Sequence, residues 1–306
     1  MSIIAIEDVA HVCYRAPALE KMHAFLSDFG FVEAAADGEA LYMRGFGQPP
    51  FLHMTERGEA GFAGFAFRAA GRSDLDTLAA AEGVRVEPLT APGGGEMVRL
   101  YDPDGFRIDV VAGQATAPPL PFDHSPWNSA QTKSRVRQTK RVPAGASHVM
   151  RLGHIVLRVR DFRLSEQWYK DRFGFLTSDE ITTPDGGVLG AFLRCDRGDV
   201  PTDHHTLALV HSPDGAAFDH AAFEVNDLDD LMAGHEHLVV RGYQADWGVG
   251  RHVLGSQIFD YWRDPWGNNL EHWTDGDLLT AEDGSRLASV GEAMDVQWGP
   301  RASFSI

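Results

Sequence analysis

The sequence predicts an α+β protein in which one module is written twice, each half curling a mixed sheet into a cup whose concave face suits a ligand. Three observations carry this reading. The turn in "DPDGFRIDVV" (residues 102–111) returns in "DPWGNNLEHW" (264–273). The Phe-Gly-Phe stop of "LEKMHAFLSDFGFVEA" (19–34) returns in "SEQWYKDRFGFLTSDE" (165–180). A strand with a single histidine opens each copy.

The opening strands, "DVAHVCYRA" and "LGHIVLRVR", alternate apolar residues around His11 and His154, the period of a β-strand. Apolar and aromatic residues at helical spacing follow, ending at Gly30 and Gly174. Later, "FAGFAFRAAGRSDLDTL" and "FDHAAFEVNDLDDL" each run an aromatic strand into an acidic helix start, where Asp or Asn can cap the first turn. In the Asp-Pro-x-Gly turn, Pro fixes φ and Gly permits the bend into a last strand, which carries Asp109 in one copy and Glu271 in the other. His11 and His154 lie 143 residues apart, Asp109 and Glu271 162 apart, so the second copy holds roughly twenty additional residues.

Residues 1–115 and 151–280 form the two modules. The stretch "GQATAPPLPFDHSPWNSAQTKSRVRQTKRVPAGAS" is rich in Pro, Ser and basic residues, which places a linker over 116–150; residues 281–306 form a weakly patterned tail.

Composition narrows the partners. A chain of 306 residues with 43% hydrophobic and 10% aromatic content fills ordinary globular cores. Its net charge of −17 opposes nucleic acid and anionic membranes, leaving a small molecule as the expected ligand. The start "MSIIAIEDVAHV" has no signal-peptide pattern and no later run reads as a membrane span, so a soluble cytoplasmic protein is expected. The two cysteines, Cys13 and Cys195, are far apart and argue against a disulfide framework or a thiolate zinc site.

Among 14 histidines, His154 in "LGHIVL" and His220 in "FDHAAFEV" join Glu271 in "NNLEHW" as candidate metal ligands on strands. Two imidazoles and one carboxylate leave positions open for substrate and dioxygen, the arrangement suited to non-haem Fe(II). The matching positions of the first copy are His11, Gly64 and Asp109, so a second ligand is missing there. Trp262, Trp266 and Trp273 are expected near the metal, where a ring-shaped substrate could stack.

With "RLGHIVLRV", "HHTLAL" (204–209), "FDHAAFEV", "GRH" (250–252) and "YWRDPWGNNLEHW" together, the chain resembles the two-domain extradiol ring-cleaving dioxygenases of the vicinal-oxygen-chelate (glyoxalase/bleomycin resistance) superfamily, of the catechol 2,3-dioxygenase and 2,3-dihydroxybiphenyl 1,2-dioxygenase kind. The resemblance covers nearly the whole chain. It implies two tandem modules of paired βαβββ units, with Fe(II), or Mn(II), in the second only. The implied ligands are His154, His220 and Glu271, and an acid–base histidine comes from the pair His204 and His205, of which counting back from His220 favours His205. His252 and Tyr261, 19 and 10 residues before Glu271, match a proton-donating histidine and a tyrosine bonded to a substrate oxygen.

The implied reaction is meta cleavage of a catechol-type diol by O2 in aromatic-compound catabolism, by a homo-oligomer. "VLGS" (253–256) departs from the biphenyl-type pattern at Leu254 and Gly255, which leaves the diol open. Two other readings compete: a Lewis-acid isomerase or ring-opening hydrolase on the same fold, and a protein that sequesters an aromatic ligand without chemistry.

Overall fold

The computed structural model describes residues 2–301. In the first module, β1 (Ile6–Ala16), α1 (Leu19–Phe29), β2 (Val32–Ala36), β3 (Ala40–Arg44) and β4 (His53–Arg57) form one βαβββ unit. The second unit is β5 (Gly61–Ala69), α2 (Arg72–Glu82), β6 (Val86–Pro88), β7 (Glu96–Tyr101) and β8 (Arg107–Ala112). The second module begins with β9 (Val149–Val159), α3 (Phe162–Phe173), β10 (Leu176–Thr182), β11 (Val188–Arg194), the short β12 (Thr202–Asp203) and β13 (Leu207–His211). Then come β14 (Ala217–Val225), α4 (Leu228–Arg241), β15 (Gln244–His252), β16 (Ile258–Arg263) and β17 (Asn269–Thr274). After β18 (Leu278–Leu279), the chain ends in β19 (Arg286–Ser289), α5 (Val290–Met294) and β20 (Val296–Trp298).

The two sheets share one strand order. The first runs β2-β3-β4-β1-β5-β8-β7-β6, and the second β10-β11-β13-β9-β14-β17-β16-β15 with β19 and β20 added at its edges. Register makes the repeat exact at the positions that matter. His11 faces Ala66, which faces Asp109, as His154 faces Ala222, which faces Glu271. The mixed α+β architecture is thus as the sequence predicts.

Some of the additional residues lengthen the β10–β11 hairpin, and others lie where side chains gather on the cup. The three-residue β6 corresponds to the nine-residue β15, and the link between β3 and β4 corresponds to a longer excursion through β12. The tail's strands pair with β10 and β15, so the segment from Arg286 to Trp298 spans from one edge of the sheet to the other. Among the described residues, no helix is long and apolar enough to cross a membrane.

Local signals explain the elements. Gly30 (φ 118°) and Gly174 (φ 73°) end α1 and α3 in the left-handed conformation. Both Asp-Pro-x-Gly turns close alike: Asp102 accepts from the amides of Asp104 and Phe106, and Asp264 from those of Trp266 and Asn268. The Asp227 side chain caps α4 by accepting from Asp230. The expected cap is missing at α2, because Gly71 occupies that position and the first acidic residue, Asp74, falls at the third place of the helix.

One cluster of buried apolar side chains runs through both modules. Phe62 and Phe218 stack at 4.1 Å, and Asp28 accepts from His237, Arg241 and Tyr243. His272 donates from Nε2 to the carbonyl of Phe29 at 2.7 Å and stacks on its ring at 3.7 Å. The helix stop of the first module thereby fixes β17 next to Glu271. A side chain at residue 30 would overlap the Ser147 carbonyl oxygen, whereas one at residue 174 would meet first the rotatable Ser2 hydroxyl at 3.0 Å. Gly30→Ala should therefore cost at least about 2 kcal/mol and Gly174→Ala roughly half that. Thermal melts of the two variants check this, and equal losses would contradict it.

Candidate active site

His154 on β9, His220 on β14 and Glu271 on β17 sit on three neighbouring strands whose cup-facing side chains converge. The Nε2 atoms of His154 and His220 lie 3.2 Å and 3.3 Å from Oε2 of Glu271, and one ligand atom from each of the three falls within 4.8 Å of the others. All three are buried, Glu271 fully, and neither Glu271 oxygen has a hydrogen-bond donor in acceptable geometry. A desolvated carboxylate with no donors is costly unless a cation meets it. Bonds of ~2.1 Å to one ion would place adjacent ligand atoms about 3 Å apart, close to the spacing found. The donor set and the orphaned oxygens therefore fit a divalent metal.

Neighbours orient the ligands. His220 donates from Nδ1 to Asp219 at 2.8 Å, which points Nε2 toward Glu271, and Arg158 holds Asp219 at 2.8 Å. Trp273 packs over Gly153, where any side chain would strike its ring, and its own ring lies 6.3 Å from that of His154. Burial disfavours charge on His220, yet Asp219 and Glu271 raise its pKa to about 9. Burial pushes Glu271 up, but His154 and His220 outweigh it and hold the carboxyl well below the usual range.

The structure brings the other predicted residues to the same cup. The ring of His205 lies 4.1 Å from that of His154, and burial drives its pKa well below the ordinary histidine value. His252 Nε2 lies 3.1 Å from the Tyr261 hydroxyl and 3.9 Å from Oε1 of Glu271. Burial lowers His252 to about 4 and, with Glu271 adding to it, raises Tyr261 well above the usual phenol value. At neutral pH His205 and His252 are thus neutral imidazoles and Tyr261 a proton-bearing phenol.

His204 and His205 lie in a bend between β12 and β13, not on a strand. Their Nδ1 atoms are 3.1 Å apart. His204 turns its Nε2 to Asp179 at 2.7 Å, and Gly255 (φ 75°) lies against its ring, where a Cβ would come within 3.0 Å of Nδ1.

The tryptophans divide. Trp273 neighbours His154, whereas Trp262 shares β16 with Tyr261 one residue away, faces the other side and donates to Asp260 at 2.6 Å. Trp266 packs against the core from its turn. The ring over the site is one the sequence reading passed by: Trp247 stacks on Tyr261 at 5.6 Å and tilts on Phe259 at 4.4 Å. Phe192, 4.7 Å from His205, was passed by as well. Asp219 sits beside His220 and could have been singled out as its orienting acid; Asp179 and Trp247 are distant in sequence and carry no such mark.

In the first module the same positions are closed. Asp109 is ion-paired to Arg99 at 2.7 Å and to Arg107 at 3.6 Å, and a side chain at Gly64 would collide with Arg107. Two guanidinium groups face the acid that a metal faces in the second cup.

Residues 151–272 match the sequence profile of the Glyoxalase/Bleomycin resistance protein/Dioxygenase superfamily, and this module is a member of it. Over 303 residues the chain is 29% identical to metapyrocatechase 2 of Cupriavidus necator, covering 97% of this chain and 90% of that protein. It is 25% identical over 298 residues to an iron-dependent extradiol dioxygenase of Rhodococcus jostii, covering 90% and 89%. In three dimensions it superimposes on the Mn(II)-bound glyoxalase of Novosphingobium aromaticivorans with a TM-score of 0.78 at 24% identity, covering 98% and 93% of the chains, which shows the shared fold.

Two outcomes test the metal centre. Because His220 carries a proton in the metal-free chain below about pH 9, metal entry must release it. Zn(II) affinity measured by chelator competition should rise roughly tenfold per unit between pH 6 and 8; a flat profile would contradict the arrangement. Glu271→Gln should lose at least about a hundredfold in affinity while the metal-free melting temperature stays within a few degrees, since the substitution removes a buried charge and leaves His220 its partner Asp219.

Proposed function

We propose that the module spanning residues 151–280 holds Fe(II), with Mn(II) as a substitute, on His154, His220 and Glu271, and that the chain cleaves a catechol-type diol beside its hydroxyls with O2. The observation that carries this reading is the buried, donor-less Glu271 between two imidazoles, with His205, His252 and Tyr261 on the same face. The names of the two relatives above, metapyrocatechase and iron-dependent extradiol dioxygenase, support it.

Bound iron(II) supplies a template and electron conduit on which diol and dioxygen meet. The protein's part is positioning and proton handling. His205, neutral and buried, accepts a proton from a diol hydroxyl. The Tyr261 phenol donates a hydrogen bond to a substrate oxygen while accepting one from Nε2–H of His252, and the proton taken up by His205 is returned as the ring opens. Water is kept away by Phe192, Phe259 and Trp247, whose rings pack on His205, His252 and Tyr261.

Those apolar rings favour a diol with an alkyl or no substituent. Among the described residues, Arg158, Arg251 and Arg263 of the same sheet are each paired with an aspartate, so an acidic substituent would have to compete for them. Self-association into a homo-oligomer is part of this reading and is open to measurement by light scattering.

The test is to load Fe(II) without oxygen and follow a panel of diols for oxygen uptake together with a new yellow absorbance. Alkylcatechols should turn over at least about tenfold better, in kcat/KM, than 3,4-dihydroxyphenylacetate. Turnover without oxygen on a redox-inert ion would favour a Lewis-acid enzyme, and tight diol binding with no uptake would favour sequestration.

A further inference from the structure

A chain of contacts behind His205 reaches out of the cup to the C-terminal tail. Arg286 on β19 holds the carboxylate of Asp179 on β10 at 2.6 Å and 3.4 Å. The other end of the chain runs from Asp179 through His204, 2.7 Å away, to His205 Nδ1, 3.1 Å from His204 Nδ1. The Asp179 side chain is fully buried and His204 and His205 are nearly so. In such a place each hydrogen bond needs one donor and one acceptor, because an error in either partner leaves a buried polar atom unsatisfied.

Those requirements fix every proton in the chain. Asp179 is a carboxylate: burial raises its pKa, but His204 and Arg286 bring it below the ordinary value. A carboxylate only accepts, so Nε2 of His204 is the nitrogen that carries hydrogen. The charge of Asp179 is also met by Arg286. Of the two facing Nδ1 atoms one must accept, and an imidazole with its single hydrogen on Nε2 offers Nδ1 as the acceptor. The hydrogen between the two histidines must belong to Nδ1 of His205.

We propose that Asp179, anchored by Arg286 and acting through His204, holds His205 in the Nδ1–H tautomer, which leaves Nε2 of His205 as the bare ring nitrogen available to a substrate hydroxyl. Asp179, His204 and Arg286 are positioning residues; none needs to touch the diol. The tail thereby has a part in the reaction although it supplies no group to the metal. The kinetic part of this inference rests on the ring-cleavage reading, whereas the tautomer itself does not.

The experiment separates the two. Protein labelled with 15N-histidine, metal-free and Zn(II)-loaded, is read by long-range proton–nitrogen correlation, which distinguishes protonated from bare ring nitrogens. The expected result is His204 as the Nε2–H form and His205 as the Nδ1–H form. Asp179→Asn offers an amide donor in place of the second carboxylate oxygen and should invert both rings. In the Fe(II) enzyme it should lower kcat by about a hundredfold with the KM for the diol and the iron content unchanged.

Arg286→Gln, at an exposed side chain, should give a smaller loss in kcat and a mixture of tautomers, and Arg286→Lys should restore the wild-type spectrum. A wild-type His205 in the Nε2–H form, or an Asp179→Asn enzyme with unaltered spectrum and kcat, would overturn the proposal. Should wild-type protein cleave no diol at all, the reading of the reaction fails while the nitrogen spectra still decide the tautomer.

Discussion

A carboxylate buried without a single good hydrogen-bond donor is the constraint around which this molecule is organised. Glu271 has no exposed surface, and what faces its oxygens are the Nε2 atoms of two imidazoles. An isolated charge in that position costs several kcal/mol; in the metal-free chain the proton on His220 offsets part of that cost, and a divalent ion between the three side chains would take over the role. The first module inherited the same strand and an acid at the same register, and solved the same problem with arginine. Gly64 stands where the second imidazole would be, Arg107 packs into the space left by its missing side chain, and Asp109 is ion-paired on two sides. The duplicated turn therefore leads to two acids with two different counter-charges.

Much of the remaining architecture keeps that acid in place. Phe29, at the helix stop of the first module, accepts from His272 and stacks on it, so the module without a metal holds the strand of the module with one. On the other flanks, Asp219 orients His220 and Trp273 closes over Gly153. The tail reaches both walls of the cup: Arg286 meets Asp179 behind the histidine pair, and the Gln297 side chain donates to the carbonyl of His252. A segment that reads as unpatterned in sequence thus spans the two halves of the site.

How much of this was visible in the sequence follows from what repetition can reveal. His154, His220 and Glu271 stood out because their counterparts His11, Gly64 and Asp109 sit in matching strands, and a two-residue period is enough to say which side chains share a face. Periodicity fails outside regular structure. His204 and His205 occupy a bend, so it is the course of the chain and not a strand's alternation that sends His205 to His154 and His204 back to Asp179. Trp262 misleads in another way: it is close to Glu271 in sequence but is carried to the far side by the strand it shares with Tyr261. Asp179, Arg286 and Trp247 could not be read at all. Their roles come from the pairing of β10 with β19 and from the lengthened β15, which are long-range facts with no local signature.

The central claim is that one cup of the two is a metal site because its acid faces two imidazoles able to give up their protons to a metal, where the other acid faces two permanent guanidinium charges. Titration of the metal-free protein with a divalent ion under anaerobic conditions, read by calorimetry and by metal analysis after gel filtration, tests it most directly. The account predicts a stoichiometry of one ion per chain. Two ions per chain would show that Arg99 and Arg107 do not close the first cup, and none would show that Glu271 tolerates its burial without a metal.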